Sequence, residues 1–173
     1  MGFLYVRSDL ISKLEPPFLD LHAATWTSPN DYQIRSDARR FENWETNYSA
    51  RAGLGAAVDY ALALGPVQTW QRIQTLGALL RSALSSIPGV AAHDLGRTQC
   101  GIVSFSLEGW DAEALRTELT HRKFNVSVAH AEHTLLDMSE RDIQTCIRAS
   151  VHYYNSEKEI EDFCGTIEAL RRK

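Results

Sequence analysis

The chain of 173 residues has a hydrophobic fraction of 44% and a charged fraction of 23%, the proportions of an ordinary globular domain able to bury a core. Its net charge of -4 argues against nucleic acid or an anionic membrane as partner. No apolar run approaches the ~20 residues a membrane helix requires. The three cysteines, Cys100, Cys146 and Cys164, lack metal-ligand spacing and read as buried thiols of a reducing, cytoplasmic compartment.

Residues 3–6 read as a short apolar strand, followed by a single helical turn through Leu14 with Ser8 or Asp9 as its cap. Pro16-Pro17 then ends regular structure, because neither ring nitrogen can donate a backbone hydrogen bond. Residues 18–43 read as a long irregular loop, a feature usually functional or covered by a partner. Within it, Arg39-Arg40 reads as a solvated or internally paired basic doublet, with a phosphate clamp as the alternative. An Ala-rich helix follows over 49–64, with Leu54, Ala57, Val58, Ala61 and Leu62 on one side. Gly65-Pro66 breaks it, the glycine free to turn left-handed and the proline suited to open the next helix. That helix runs over 67–86, where Val67, Trp70, Ile73, Leu80, Leu84 and Ile87 form a core-packing stripe.

After Pro88-Gly89 the pattern becomes an alternation of strands and helices. Residues 90–94 and 101–107 read as strands, Asp111 as the cap of a helix carrying Ala114, Leu115 and Leu119, and Val126 and Val128 as a third strand. Residues 131–145 read as a polar loop or short helix. The last strand sets Ile147, Ala149, Val151 and Tyr153 on one face and Arg148, Ser150, His152 and Tyr154 on the other. Ser156 stands three residues before Glu159, the spacing of a capping box. The helix it opens presents Ile160, Phe163, Cys164, Ile167 and Leu170 to a core. The fold class is therefore α/β with an α+β C-terminal subdomain, a small mostly antiparallel sheet with helices on one face.

Arg148 is the residue that draws chemistry to this strand. On the face opposite the apolar stripe it can offer a planar fork to a carboxylate, or it can serve as a surface ion pair. As a fork it should stand free of internal acidic partners and face a cleft beside Trp26 or His130. His130, Glu132, His133 and Asp137 suggest a metal site, but spacing fixes no third ligand and no metal is expected. His93-Asp94 at a strand end reads as a turn hydrogen bond.

Three stretches carry a family resemblance. Arg148-Ala149-Ser150 with Tyr154-Asn155-Ser156, then Arg40-Phe41-Glu42 with Asn47, Gly53-Leu54-Gly55-Ala56-Ala57 and Tyr60, and finally Gly2-Phe3-Leu4-Tyr5-Val6-Arg7 come in one order over nearly the whole chain. Together they resemble the C-terminal part of class V aminotransferase-like enzymes, pyridoxal-phosphate enzymes of fold type I that include cysteine desulfurases, selenocysteine lyases and isopenicillin-epimerase-like proteins. The resemblance implies that Arg148 binds the α-carboxylate of an amino-acid substrate and that Asn47 contacts the cofactor. It divides the chain into a partial large-domain segment over 1–66, a connecting helix over 67–87 and a small α+β domain over 88–173. It also implies a homodimer, or association with the N-terminal portion of such an enzyme.

The same resemblance marks departures. The family's Schiff-base lysine, the aspartate facing the pyridine nitrogen and the aromatic stacked on the ring precede the Gly-Phe-Leu-Tyr strand. None of Lys13, Lys123, Lys158 and Lys173 occupies that position. The chain thus reads as the C-terminal half of an enzyme, inactive by itself and not expected to hold the cofactor alone. Trp44-Glu45 stands where desulfurase-like relatives place Gly-Thr against the cofactor phosphate. The His130–Asp137 segment matches the loop of their catalytic cysteine and contains no Cys. The alternative function is a non-catalytic domain that binds a small carboxylate or completes another polypeptide.

Overall fold

Gly65, at φ +83°, turns the chain just past the boundary between two compact units, residues 1–63 and 64–173. A side chain is strained at that φ, so the glycine is required there. This is a computed structural model, and it describes residues 2–171.

In the first unit, residues 3–6 form no strand, contrary to expectation. Phe3, Leu4 and Tyr5 are exposed, because a strand needs a ladder partner and none pairs with them. Helix α1 spans Ser8–Ile11 and stops before Leu14, and Asp9 pairs with Arg7 at 2.5 and 2.9 Å instead of capping it. The stretch expected to be irregular contains an antiparallel hairpin of β1 (Ala24–Ser28) and β2 (Asp31–Ile34), with Trp26 opposite Tyr32. Pro29-Asn30 makes its turn, and the Ser28 hydroxyl donates to Asp31 at 2.6 Å. A 3-10 turn at Ala38–Phe41 follows. Helix α2 covers Tyr48–Leu64 but buries none of its side chains.

The second unit opens with α3, Pro66–Ser85, with Pro66 in its first turn. Only the second half of its stripe is core. Leu76, Leu80 and Leu84 are buried one turn apart, whereas Val67 is 63% exposed. Four strands, β3 (Val90–Ala92), β4 (Ile102–Leu107), β5 (Ser127–His130) and β6 (Thr145–Ser150), pair antiparallel in the order β3-β4-β6-β5. Helix α4, Ala112–His121, is capped by Asp111, whose carboxylate accepts the N–H groups of Glu113 and Ala114 at 2.9 and 3.0 Å. A short α5, Leu135–Glu140, lies between β5 and β6.

Helix α6, Glu157–Arg171, buries Ile160, Phe163, Cys164, Ile167 and Leu170. Its capping box is complete: the Ser156 N–H donates to Glu159 at 2.7 Å and the Glu159 N–H donates to the Ser156 hydroxyl at 3.2 Å. Val103, Phe105 and Leu107 of β4 with Ile147 and Ala149 of β6 pack against the buried faces of α3, α4 and α6. Phe163 meets Phe105 and Phe124 edge-on, with ring centroids 6.1 and 5.4 Å apart. The opposite sheet face carries the polar alternation, and Arg148 lies on it.

Candidate functional site

The pleat decides where Arg148 stands. Ile147 and Ala149 are buried against the helices, so the residue between them must turn to the other face. Register sets Arg148 opposite Ser104 of β4 on one side and Ser127 of β5 on the other. Both neighbours are small hydroxyl residues, one strand spacing of about 4.8 Å away, and neither carries a charge. Arg148 is exposed, and among the described residues its side chain has no hydrogen bond or ion pair. The guanidinium is thus a fork with its donors unspent.

The backbone that carries Arg148 is held on every side. The Val151 N–H donates to Gly101 at 2.8 Å, extending the β4–β6 ladder beyond Ser150. The Asn155 side-chain oxygen accepts the His152 N–H at 2.8 Å and the Asn155 N–H donates to the His152 carbonyl at 3.0 Å, closing a four-residue turn after the strand. From α3, Arg72 donates to the Asn155 carbonyl at 3.0 Å and clasps both carboxylate oxygens of Glu157. A second clamp fixes the neighbouring strand. Arg81 and Asp94, 13% and 11% exposed, pair at 2.7 Å, and the other Asp94 oxygen accepts the Ser104 N–H at 2.8 Å. The sequence reading missed this pair, since a helix arginine and an acid beyond the next strand share no local pattern. Asp94 is more than a turn partner.

The Arg72 clasp holds the Glu157 carboxyl at about 2, mainly through the guanidinium hydrogen bond. A depressed carboxyl stabilises the fold above its unfolded pKa, about 4.3, and the contribution is lost as pH falls through about 2. Thermal melts of wild type and Glu157→Gln should therefore differ at pH 6 and converge between pH 4 and 2. A gap unchanged at pH 2 would show that Glu157 does not act through its charge.

The remaining polar candidates disperse. His130 lies on the helix face and meets Glu113 of α4 at 3.3 Å, so it does not stand beside Arg148 as expected. Asp137 pairs with Arg141 at 3.1 Å, and Arg141 also donates to the His93 carbonyl at 2.7 Å. His93 shares a hydrogen bond with the Ser106 hydroxyl at 3.0 Å, and burial with the nearby Arg141 cation pushes its pKa down. Among the described residues no three His, Cys, Asp or Glu converge as metal ligands.

Cys100 is exposed, against the expectation of three buried thiols, because it lies in the loop before β4. Cys146 shares the Arg148 face but is buried, and that burial raises its pKa; Cys164 is pushed up to about 11 by burial. Burial disfavours the thiolate form of both. A cleft of about 500 Å³ opens on the helix side, between Phe124, Asn125, Ser150, Asn155 and Phe163. Arg148 does not line it.

In the first unit, Asn47 caps α2, its side-chain oxygen accepting the Ala50 N–H at 2.9 Å while its amide N–H groups stay available. The Trp44 N–H donates to Asp20 at 2.6 Å. Arg40 contradicts the reading of a solvated or paired doublet. It is buried, with no partner on its Nε, since the 3-10 turn folds it inward.

The second unit is thus an antiparallel α+β domain with one unspent arginine on its open sheet face. The family model for Aminotransferase class-V matches residues 1–163, and the chain belongs to that family. A "Probable cysteine desulfurase" of Methanothermobacter thermautotrophicus is 25% identical over 98% of this chain and 43% of its own length. The apo structure of a cysteine desulfurase from Thermococcus onnurineus superposes with a TM-score of 0.83 at 25% identity, over 97% of this chain and 42% of that one. The fold of C-DES, solved with glycine covalently linked to its pyridoxal-phosphate cofactor, matches with a TM-score of 0.73 at 22% identity, over 95% of this chain and 40% of that one. The chain therefore spans less than half the length of these proteins. Among the described residues no helix is long and apolar enough to cross a membrane.

Proposed function

We propose that the chain is the substrate-orienting part of a pyridoxal-phosphate enzyme acting on an amino acid, with Arg148 as the contact to the α-carboxylate. The observation that carries this reading is the unspent guanidinium on a strand whose opposite face is core. A carboxylate docked there accepts two parallel charge-assisted hydrogen bonds, which fixes the amino acid in plane as well as in place. Membership in the class V aminotransferase family supports the cofactor. Bound, that cofactor supplies the electron sink for the α-carbon.

Asn47 is the residue of this chain that would hold the cofactor phosphate. Its free amide N–H groups stand at the N-terminus of α2, a position that favours an anion. The burial of Cys146 and Cys164 supports a reaction type that does not use either of these two thiols as nucleophile. The lysine that anchors the cofactor is not one of Lys13, Lys123 and Lys158; Lys158 is already ion-paired with Asp162. The soluble form is a homodimer, or a complex with the N-terminal portion of such an enzyme.

Mixing the chain with the N-terminal portion of a class V enzyme and pyridoxal phosphate tests the reading. Amino-acid-dependent change in the cofactor spectrum is expected with both parts together and with neither alone. The chain alone giving a stoichiometric, borohydride-fixed adduct on one lysine overturns it. Carboxylate binding by Arg148 without turnover would favour the non-catalytic alternative.

A further inference from the structure

The segment between β5 and β6 does more than join them. The Ala131 N–H donates to the Gln144 carbonyl at 2.9 Å, so residues 132–143 leave the sheet and return at one point. β5 lies at one edge of the sheet and β3 at the other. Arg141 nevertheless donates to the carbonyl of His93, just past β3, at 2.7 Å. The segment therefore crosses β6 and β4 to reach it. Asp137 accepts the other terminal nitrogen of Arg141 at 3.1 Å and so orients the fork. Among the described residues this guanidinium makes the only hydrogen bond that ties residues 132–143 to the far side of the sheet.

Burial shows which face is crossed. The helices fill one face of the sheet, and Met138 and Cys146 are buried outside that core, at 5% and 4% exposure. The segment thus covers part of the opposite face, the one that carries Arg148. Its cover ends between neighbouring residues of each strand. In β6 Cys146 is buried while Arg148 and Ser150 are exposed, and in β5 Ala129 is half-buried while Ser127 is exposed. His93 stands in the same row as Arg148, since its N–H donates at 2.8 Å to Ser104, the residue paired with Arg148. Arg141 therefore anchors the segment at the border of the carboxylate site. Burial raises the pKa of Cys146 and the Arg141 cation pulls the other way, a sign that the guanidinium lies close to the covered thiol.

We propose that Arg141 is a positioning residue for the Arg148 site: it pins residues 132–143 over the sheet, closes the Cys146 side of Arg148 and leaves a carboxylate to approach past the exposed Ser127 and Ser150. This rests on the Arg148 reading and deepens it. A long side chain bordered by a fixed wall has fewer rotamers open to it before the ligand arrives, so less entropy is lost on binding. The wall depends on its anchor, because α5 has only six residues and a helix that short does not hold its shape alone.

The cysteines of the chain report the wall directly. Cys100 is exposed, Cys146 lies under the segment and Cys164 lies in the helix core. In the full chain treated with iodoacetamide and mapped by mass spectrometry, Arg141→Met should speed alkylation of Cys146 by about 10- to 100-fold, the effect of losing one charge-assisted hydrogen bond. Cys164 should not change, and Arg141→Lys, which keeps a donor, should fall between. In the chain reconstituted with the N-terminal portion of a class V enzyme and pyridoxal phosphate, Arg141→Met should raise the amino-acid KM about tenfold and change kcat less than about threefold. Arg141→Lys should restore part of that loss. Cys146 no faster, or Cys146 and Cys164 faster together, overturns the proposal, because Arg141 then holds either nothing or the whole fold. An unchanged KM in Arg141→Met beside a raised KM in Arg148→Lys overturns it and leaves the Arg148 reading intact. A normal KM in both variants overturns the two together.

Discussion

Arg148→Lys, measured in the chain reconstituted with the N-terminal portion of a class V enzyme, should lower kcat/KM by about 30- to 1000-fold, a loss of about 2–4 kcal/mol in transition-state stabilisation. Lysine keeps the charge but presents a point donor where arginine presents two parallel N–H groups. A carboxylate held by one donor can rotate, so the α-carbon loses its alignment with the reacting plane and the loss appears in kcat as well as KM. Stability should change far less, by about 0.5 kcal/mol or under. The side chain is exposed and has no internal partner among the described residues, so its removal leaves no cavity and no orphaned acid. An ordinary surface salt bridge predicts the reverse split, a lower melting temperature with turnover nearly intact. Measuring both quantities on one variant separates the two, and a variant with normal kcat/KM would remove Arg148 from the site.

The C-terminal strand, turn and helix were legible in the sequence because each rests on local rules. Alternation sets the faces of β6, Ser156 and Glu159 stand at capping-box spacing, and helical recurrence selects the five buried residues of α6. Legibility fails where an element depends on something distant. The apolar run at 3–6 has strand composition but no strand beside it, so it stays extended without a ladder. The hairpin of β1 and β2 was hidden for the opposite reason. Thr25, Trp26 and Tyr32 are good strand formers, yet the flanking Pro29 and Asn30 read as irregular chain when they are in fact its turn. For α2 and the first half of α3, periodicity predicts a helix correctly and says nothing of what covers it. Leu62 and Val67 lie exposed on faces that the pattern marks as core. Candidate-site chemistry divides in the same way. The direction of Arg148 follows from pleat alone, whereas the Arg81–Asp94 clamp and the isolation of Arg40 depend on tertiary contacts that no spacing announces.

Gly101→Ala should be the most destabilising small substitution in the second unit, at about 2–4 kcal/mol. The cause is space, since the Gly101 backbone is not left-handed. A Cβ there would lie 2.3 Å from the Val151 carbonyl oxygen and 2.8 Å from Cγ2 of Ile73. The isoleucine can rotate away, but the carbonyl belongs to the strand end that Gly101 itself holds through the Val151 N–H. Relief therefore requires the two backbones to separate, adding a lost hydrogen bond of about 0.5–1.5 kcal/mol to an overpacking cost of about 1–3 kcal/mol. In urea the midpoint should fall with the slope unchanged, because the unfolded surface is the same. Gly165→Ala provides the contrast. That glycine lies inside α6 with nothing within 4 Å of its added methyl, so alanine there should stabilise by about 0.5–1 kcal/mol through helix propensity. The displaced strand end lies three residues from Arg148, so reconstituted Gly101→Ala enzyme that still folds should also show a raised KM. A Gly101→Ala chain as stable as wild type would mean that β4 and β6 can part at Val151 without cost, and the fixed aim of Arg148 would lose its structural basis.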